Sequence, residues 1–232
     1  MKRVLMGLAL LSMIVMSGCS NKKSRQAAEI AEEPAVGFIR LNVPLVVEPA
    51  KAEATAALAE KLVAASQKDA GMMEYDLFRS ETRAGWMLIY ETWRDQPSLD
   101  EHSAAPHFTT IVPQLQASGE MGIEQFYEYP VSNTDGMKLR INCHFTAKDE
   151  AARAQVIALA KELVGETRAK DAGCIEYDIL SSATRPLELM VYETWKDQAA
   201  LDAHSAAAHF KKLVPAIGAL CEKVNAETFY FD

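Results

Sequence analysis

The chain has 232 residues, 49% of them apolar and 24% charged, with a formal net charge of −8. That is the ordinary globular balance, enough to build real cores and unlike a disordered or low-complexity chain. An acidic chain with no basic patch is repelled by phosphate backbones, which excludes nucleic-acid binding as a working class.

The first element in chain order is a processing signal. Lys2 and Arg3 precede an apolar run over residues 4–16, broken only by Gly7 and Ser12, and Ser17-Gly18-Cys19 follows. The run is shorter than the ~20 residues that span a bilayer. A cationic start, a short apolar run and small residues make a secretory signal. With Cys19 at its end, the segment resembles the lipobox of bacterial lipoproteins. That resemblance implies removal of residues 1–18, acylation of Cys19 and a periplasm-facing chain held in the cell envelope, meeting the membrane only through its N-terminal lipid. Residues 19–36 are polar and without sustained pattern, as in a tether.

A first domain is expected over residues 37–131. Residues 38–47 alternate Ile39, Leu41, Val43 and Leu45 against Arg40 and Asn42, a strand with one apolar face. Pro49 opens a helix through Lys68, and Gly71 ends it. Residues 72–79 and 86–93 are strands joined by a polar turn around Glu81-Thr82-Arg83. Asp95 caps a second helical stretch to Gln116, which Pro106 should divide. Residues 122–129 form the last strand.

The same text then recurs over residues 136–232. Residues 71–113 align without a gap on residues 173–215, Gly71 on Gly173, and about half the positions are identical. Upstream, Ile39-Arg40-Leu41-Asn42-Val43 parallels Leu139-Arg140-Ile141-Asn142-Cys143, and Lys68-Asp69-Ala70-Gly71 parallels Lys170-Asp171-Ala172-Gly173. A period this long is a duplicated domain and not a solenoid. The order β-α-β-β-α-β is the ferredoxin-like unit, so the fold class is α+β with two tandem ferredoxin-like domains. Each unit leaves one sheet face bare. The two faces are expected to cover each other, giving an intrachain pseudo-dimer, a dimeric α+β barrel within one chain. Cys143, Cys174 and Cys221 all fall in the second copy, and the first folds the same way without them. They read as small buried hydrophobes rather than a disulfide framework.

The densest chemistry follows the third strand: Glu91, Trp93, His102 and Pro106-His107-Phe108, preceded by Gly71 and Tyr75. Copy two carries Glu193, Trp195, His204 and His209-Phe210, with Gly173, Tyr177 and Ala208 at the proline position. On these residues the chain resembles the antibiotic-biosynthesis monooxygenase family, its small quinol monooxygenases most closely, over nearly all of both copies. The resemblance implies a cofactor-independent oxygenase that uses O₂ on a small electron-rich aromatic of the hydroquinone type. Such chemistry needs a base tuned near neutrality, donors for phenolate and peroxide oxygens, and a dry pocket. Histidine suits the base, so His102 and His204 are the candidate catalytic residues. Asn42, Trp93, His107, Asn142, Trp195 and His209 are the candidate substrate-binding residues.

No metal is expected, because His102 and His107 would point ~140° apart on one continuous helix. Haem-degrading relatives carry a Trp about where His102 stands and their haem-ligating His about where Val112 stands, so no haem and no other cofactor is expected. Two further readings stay open: a non-catalytic small-ligand-binding lipoprotein of the same fold, and an isomerase of a small metabolite. Trp86 is Glu188 in copy two, Met72 is Cys174 and Pro106 is Ala208, so the two cavities should differ in polarity and shape.

Overall fold

The structure, a computed structural model, describes residues 37–127 and 134–232. The signal segment, Cys19 and the tether lie outside the described residues, as does the end of the expected first domain. Among the described residues no helix is long and apolar enough to cross a membrane.

Copy one runs β1 (Ile39–Val47), α1 (Ala52–Ser66), β2 (Met72–Ser80), β3 (Trp86–Trp93), α2 (Gln96–Ala104), α3 (Pro106–Ser118), β4 (Gly119–Met121) and β5 (Glu124–Tyr127). Copy two runs β6 (Lys138–Ala147), α4 (Glu150–Lys170), β7 (Cys174–Ser182), β8 (Glu188–Trp195), α5 (Gln198–Ala206), α6 (Ala208–Ala219) and β9 (Cys221–Phe231). The ferredoxin-like order thus occurs twice. The closing strand is whole in copy two and split into β4 and β5 in copy one, where Gly122 and Ile123 interrupt it.

All strands belong to one antiparallel sheet in the order β4-β1-β3-β2-β7-β8-β6-β9, with β5 also on β1. The copies are therefore joined edge to edge as well as face to face, through the pairing of Phe78 with Ser182 and Ser80 with Leu180. Strand alternation sorts the side chains. Ile39, Leu41, Val43, Leu45, Leu77, Ile89 and Trp93 point outward beneath α1–α3 and form one core, and the matching residues of copy two form another. The inward residues Phe78, Trp86, Leu88, Tyr90, Leu180, Met190 and Tyr192 form a third, shared core. This is why β3 is buried at every position rather than at alternate ones.

The inner faces meet at an approximate two-fold axis, where the Asn42 and Asn142 amides exchange hydrogen bonds of 3.3 and 3.2 Å. Tyr90 donates to Glu227 at 2.7 Å, and Tyr192 donates to Glu124 at 2.8 Å. Each β2–β3 or β7–β8 turn also reaches into the other copy. Arg83 Nε holds Asp178 at 2.7 Å, and Arg185 Nε holds Asp76 at 2.9 Å. Both aspartates are fully buried, so these cross-copy pairs neutralise charges that would be costly alone. The three cysteines form no disulfide. Burial pushes the Cys143 thiol up to about 12 and that of Cys174 to about 11, as expected of packing residues.

Candidate functional site

The site is assembled on the outer, helix-covered face of each half-sheet. Asp95 is extended, and its carboxylate accepts from the Ser98 backbone N–H at 2.9 Å, capping α2. A cap of this kind contributes about 1 kcal/mol. Nearly two turns on, His102 points into the core and is 1% exposed. Ala105 then adopts an extended conformation (φ −67°, ψ 148°), and α3 restarts at Pro106. The break turns His107 back towards His102.

Both rings converge on Asp69, in the turn after α1. His102 Nδ1 lies 2.7 Å from Asp69 Oδ2, and His107 Nε2 lies 2.9 Å from the same oxygen. Copy two repeats this with His204, His209 and Asp171 at 2.6 and 2.8 Å. The expectation that the two histidines diverge is thereby corrected, because it assumed one continuous helix. Copy two breaks at Ala207 (φ −66°, ψ 150°) although Ala208 replaces the proline. Proline fits the first turn of α3, but it is not what divides the helix.

A carboxylate oxygen can only accept, so the facing nitrogens of both rings carry the hydrogens. In neutral His102 this leaves the lone pair on Nε2. That atom is buried with no hydrogen-bond partner, and so is Nε2 of His204. Burial lowers the pKa of His102 and His204, and the hydrogen bond and charge of the neighbouring aspartate offset only part of that. Both imidazoles are therefore neutral near pH 7.

Around His102 stand the rings of Trp93, Phe108 and Tyr75, with centroids at 4.4, 4.9 and 5.5 Å. Around His204, Trp195, Phe210 and Tyr177 stand at 4.6, 4.8 and 5.2 Å. Trp93 also donates its Nε1–H to Glu91 at 2.9 Å, and Trp195 donates to Glu193 at 2.6 Å. Burial pushes the Glu91 carboxyl up to about 7, opposed by the Trp93 donor and the neighbouring Tyr75 hydroxyl. Glu193 is likewise raised to about 7 by burial, against the Trp195 donor and the charge of Arg140. Each copy thus couples a neutral, oriented imidazole to a carboxyl that exchanges its proton near neutrality, with one indole touching both.

Of the sequence candidates, His102, Trp93 and His107 come together in copy one, and His204, Trp195 and His209 in copy two. Asn42 and Asn142 do not join them. Their strand positions face inward, so the sheet separates them from the histidines, and Arg40, Arg140 and Tyr90 share that inward face. Sequence reasoning missed Asp69 and Asp171 as partners and Glu91 and Glu193 as acids. The available signal was the Lys-Asp-Ala-Gly tetrad repeated in both copies.

The ligand atoms of Asp69, His102 and His107 all lie within 4.8 Å of one another, as do those of Asp171, His204 and His209. Imidazole and carboxylate donors suit a divalent transition metal. The same oxygen already accepts from both rings here, so a metal would have to displace two ring protons.

Several solved structures are similar to a single copy of this chain. A conserved protein from Bacteroides thetaiotaomicron shares 34% identity over 41% of this chain and 99% of its own, with a TM-score of 0.40. A protein described as an antibiotic biosynthesis monooxygenase shares 34% over 40% and 96%, TM-score 0.36. A conserved protein from Methanosarcina mazei shares 28% over 42% and 95%, TM-score 0.39. No curated protein matches the chain significantly. The profile of the antibiotic biosynthesis monooxygenase family matches residues 38–114 and again residues 139–216. With more than half of its length matched, and each match covering a histidine–aspartate group, the chain belongs to the antibiotic biosynthesis monooxygenase family as two tandem domains.

Proposed function

We propose that the chain is a cofactor-independent monooxygenase of small electron-rich aromatics of the hydroquinone type, with His102 and His204 as bases. The observation that carries this is the bare, buried Nε2 of each histidine, whose Nδ1 is fixed by a carboxylate. That is the arrangement of an oriented general base. Nε2 takes a phenolic proton, and the phenolate passes one electron to O₂. The resulting semiquinone radical and superoxide join at a ring carbon, and the peroxide takes a proton, for which Glu91 or Glu193 is the nearby source. Loss of water leaves a hydroxylated quinone. One oxygen atom stays on the ring, the other leaves as water, and the substrate supplies all four electrons.

The test is O₂ uptake with a hydroquinone and an anthrone after removal of metal, flavin and haem. His102→Ala with His204→Ala should lower the rate by roughly 10²–10⁴-fold. Absence of uptake, or full activity in the double variant, overturns the reading. We further propose that Cys19 carries the lipid and that the site faces the periplasm. Mass spectrometry of membrane-purified protein should find an acylated Cys19 as the first residue, and an unmodified Cys19 within an intact N-terminus overturns that.

A further inference from the structure

The two copies diverge sharply at one place on the inner sheet face, and a cavity opens there. Strand pairing sets Lys223, Thr146 and Glu188 in one row across β9, β6 and β8, with Asn225, His144 and Met190 in the next. The equivalent rows of copy one hold Glu120, Val46 and Trp86, then Gly122, Pro44 and Leu88. Copy one fills its space with Trp86, whose ring lies 5.4 Å from Tyr192 and 4.1 Å beneath the Arg83 guanidinium. In copy two the shorter Glu188 replaces the indole, and a cavity of about 160 Å³ remains, walled by the polar members of both rows together with Glu74, Tyr90, Arg185 and Glu227. A cavity of roughly 150 Å³ is large enough to hold benzene.

The charges around it sort into used and free. Glu227 accepts from Arg40 and from the Tyr90 hydroxyl. Arg185 is committed to Asp76 and Glu74. Among the described residues neither Lys223 nor Glu188 forms an ion pair, and Glu188 accepts from Thr146 Oγ1 at 2.8 Å. One strand separates Lys223 from Glu188, so their backbones stand about 9–10 Å apart. Between their strands lies His144, its Nε2 enclosed without a partner and its ring 4.9 Å from Tyr90. An enclosed polar atom left unpaired costs free energy that a ligand hydrogen bond can recover.

We propose that this cavity binds a small zwitterion of amino-acid size, its carboxylate towards Lys223, its ammonium towards Glu188 and a polar atom on His144. Lys223 is exposed and Glu188 half-buried, so a ligand carrying both charges meets an opposite charge at each end, whereas a lone anion or a lone cation meets only one. The cavity lies across the sheet from His102 and His204, and its occupant is independent of the reaction there.

The test is calorimetry and thermal shift on the full chain with L-serine, β-alanine and 4-aminobutyrate, against propionate and propylamine. At least one zwitterion should bind and raise Tm, and the singly charged probes should bind at least tenfold more weakly. Two variants install the copy-one residue: Lys223→Glu, at an exposed edge-strand position, and Glu188→Trp, which fills the space as Trp86 does. Each should weaken zwitterion binding at least tenfold, and if Glu188→Trp fails to fold, Lys223→Glu decides alone. The proposal is overturned if no zwitterion binds at millimolar concentration, if propionate or propylamine binds equally well, or if Lys223→Glu binds with unchanged affinity.

Discussion

His102 Nδ1 stands 2.7 Å from the Asp69 carboxylate, and that single contact decides which ring nitrogen is free to react. Asparagine at position 69 could present its NH₂ to Nδ1 and draw the hydrogen onto Nε2, removing the base. Asp69→Asn with Asp171→Asn should lower O₂ uptake by roughly 10²–10⁴-fold. Asp69 also raises the His102 pKa against burial. Residual activity should therefore show its acid limb, already below 6.5, at a still lower pH. A double variant with wild-type rate and pH profile would show that Asp69 is only structural.

Glu91 and Glu193 make stability depend on pH in the opposite sense from the histidines. Each carboxyl ionises near 4.5 when unfolded and near 7 when folded. The stability gained by holding the proton is full below 4.5 and lost as pH rises through 7. Glutamine keeps the shape and still accepts from the indole. Glu91→Gln should match wild type near pH 4.5 and exceed it above pH 7.5 by about 3 kcal/mol, read by urea unfolding across the range. His102, His204 and His144 have folded pKa values below 6.5, His144 near 3. Their contribution is full above 6.5 and lost as pH falls, so the acid limb should survive in Glu91→Gln.

Pro106→Ala should leave the break between α2 and α3 in place. Ala208 already occupies the equivalent position, and Ala207 is extended regardless. We expect a stability change within about 1 kcal/mol and unchanged histidine ring resonances in NMR. A fused α2–α3 helix in the variant would show that the proline does divide the helix in copy one.

Arg185→Ala strips the buried Asp76 of its guanidinium while Ser182 and Thr184 still donate to it. Because Arg185 is 40% exposed, the cost should fall below the usual range for a broken buried pair, at about 2–3 kcal/mol. Adding Asp76→Asn should recover part of the loss in a double-mutant cycle. Strict additivity would mean that the cross-copy pair contributes nothing.

Much of this molecule was legible in the chain. The alternation at Ile39, Leu41, Val43 and Leu45, the capping Asp95 and the recurrence of Gly71 as Gly173 placed strands, helices and duplication, because each is a local or periodic property. Gly71 is required by its own backbone, at φ +76°, and by space, since an added Cβ would stand 2.0 Å from Ser98 Oγ. The bare sheet face implied a pseudo-dimer through the rule that apolar and polar surfaces must be satisfied.

Sequence alone determined the two-fold repetition, the family pattern and the histidines as the reactive candidates, all of which are written in residue type and spacing. Only the tertiary structure decided which groups those histidines meet. Asp69 is 33 residues from His102, and its position depends on how α1 ends and where α2 stops, which no local propensity encodes. The same holds for the face on which Asn42 lies relative to His102. Alternation fixes that Tyr90 and Trp93 point oppositely, but it is the β1–β3 register that sets Asn42 beside Tyr90, and which direction holds the helices and which holds the other copy is settled by packing. Burial, likewise a property of the assembled whole, turns Glu91 from an ordinary carboxylate into one that titrates near 7.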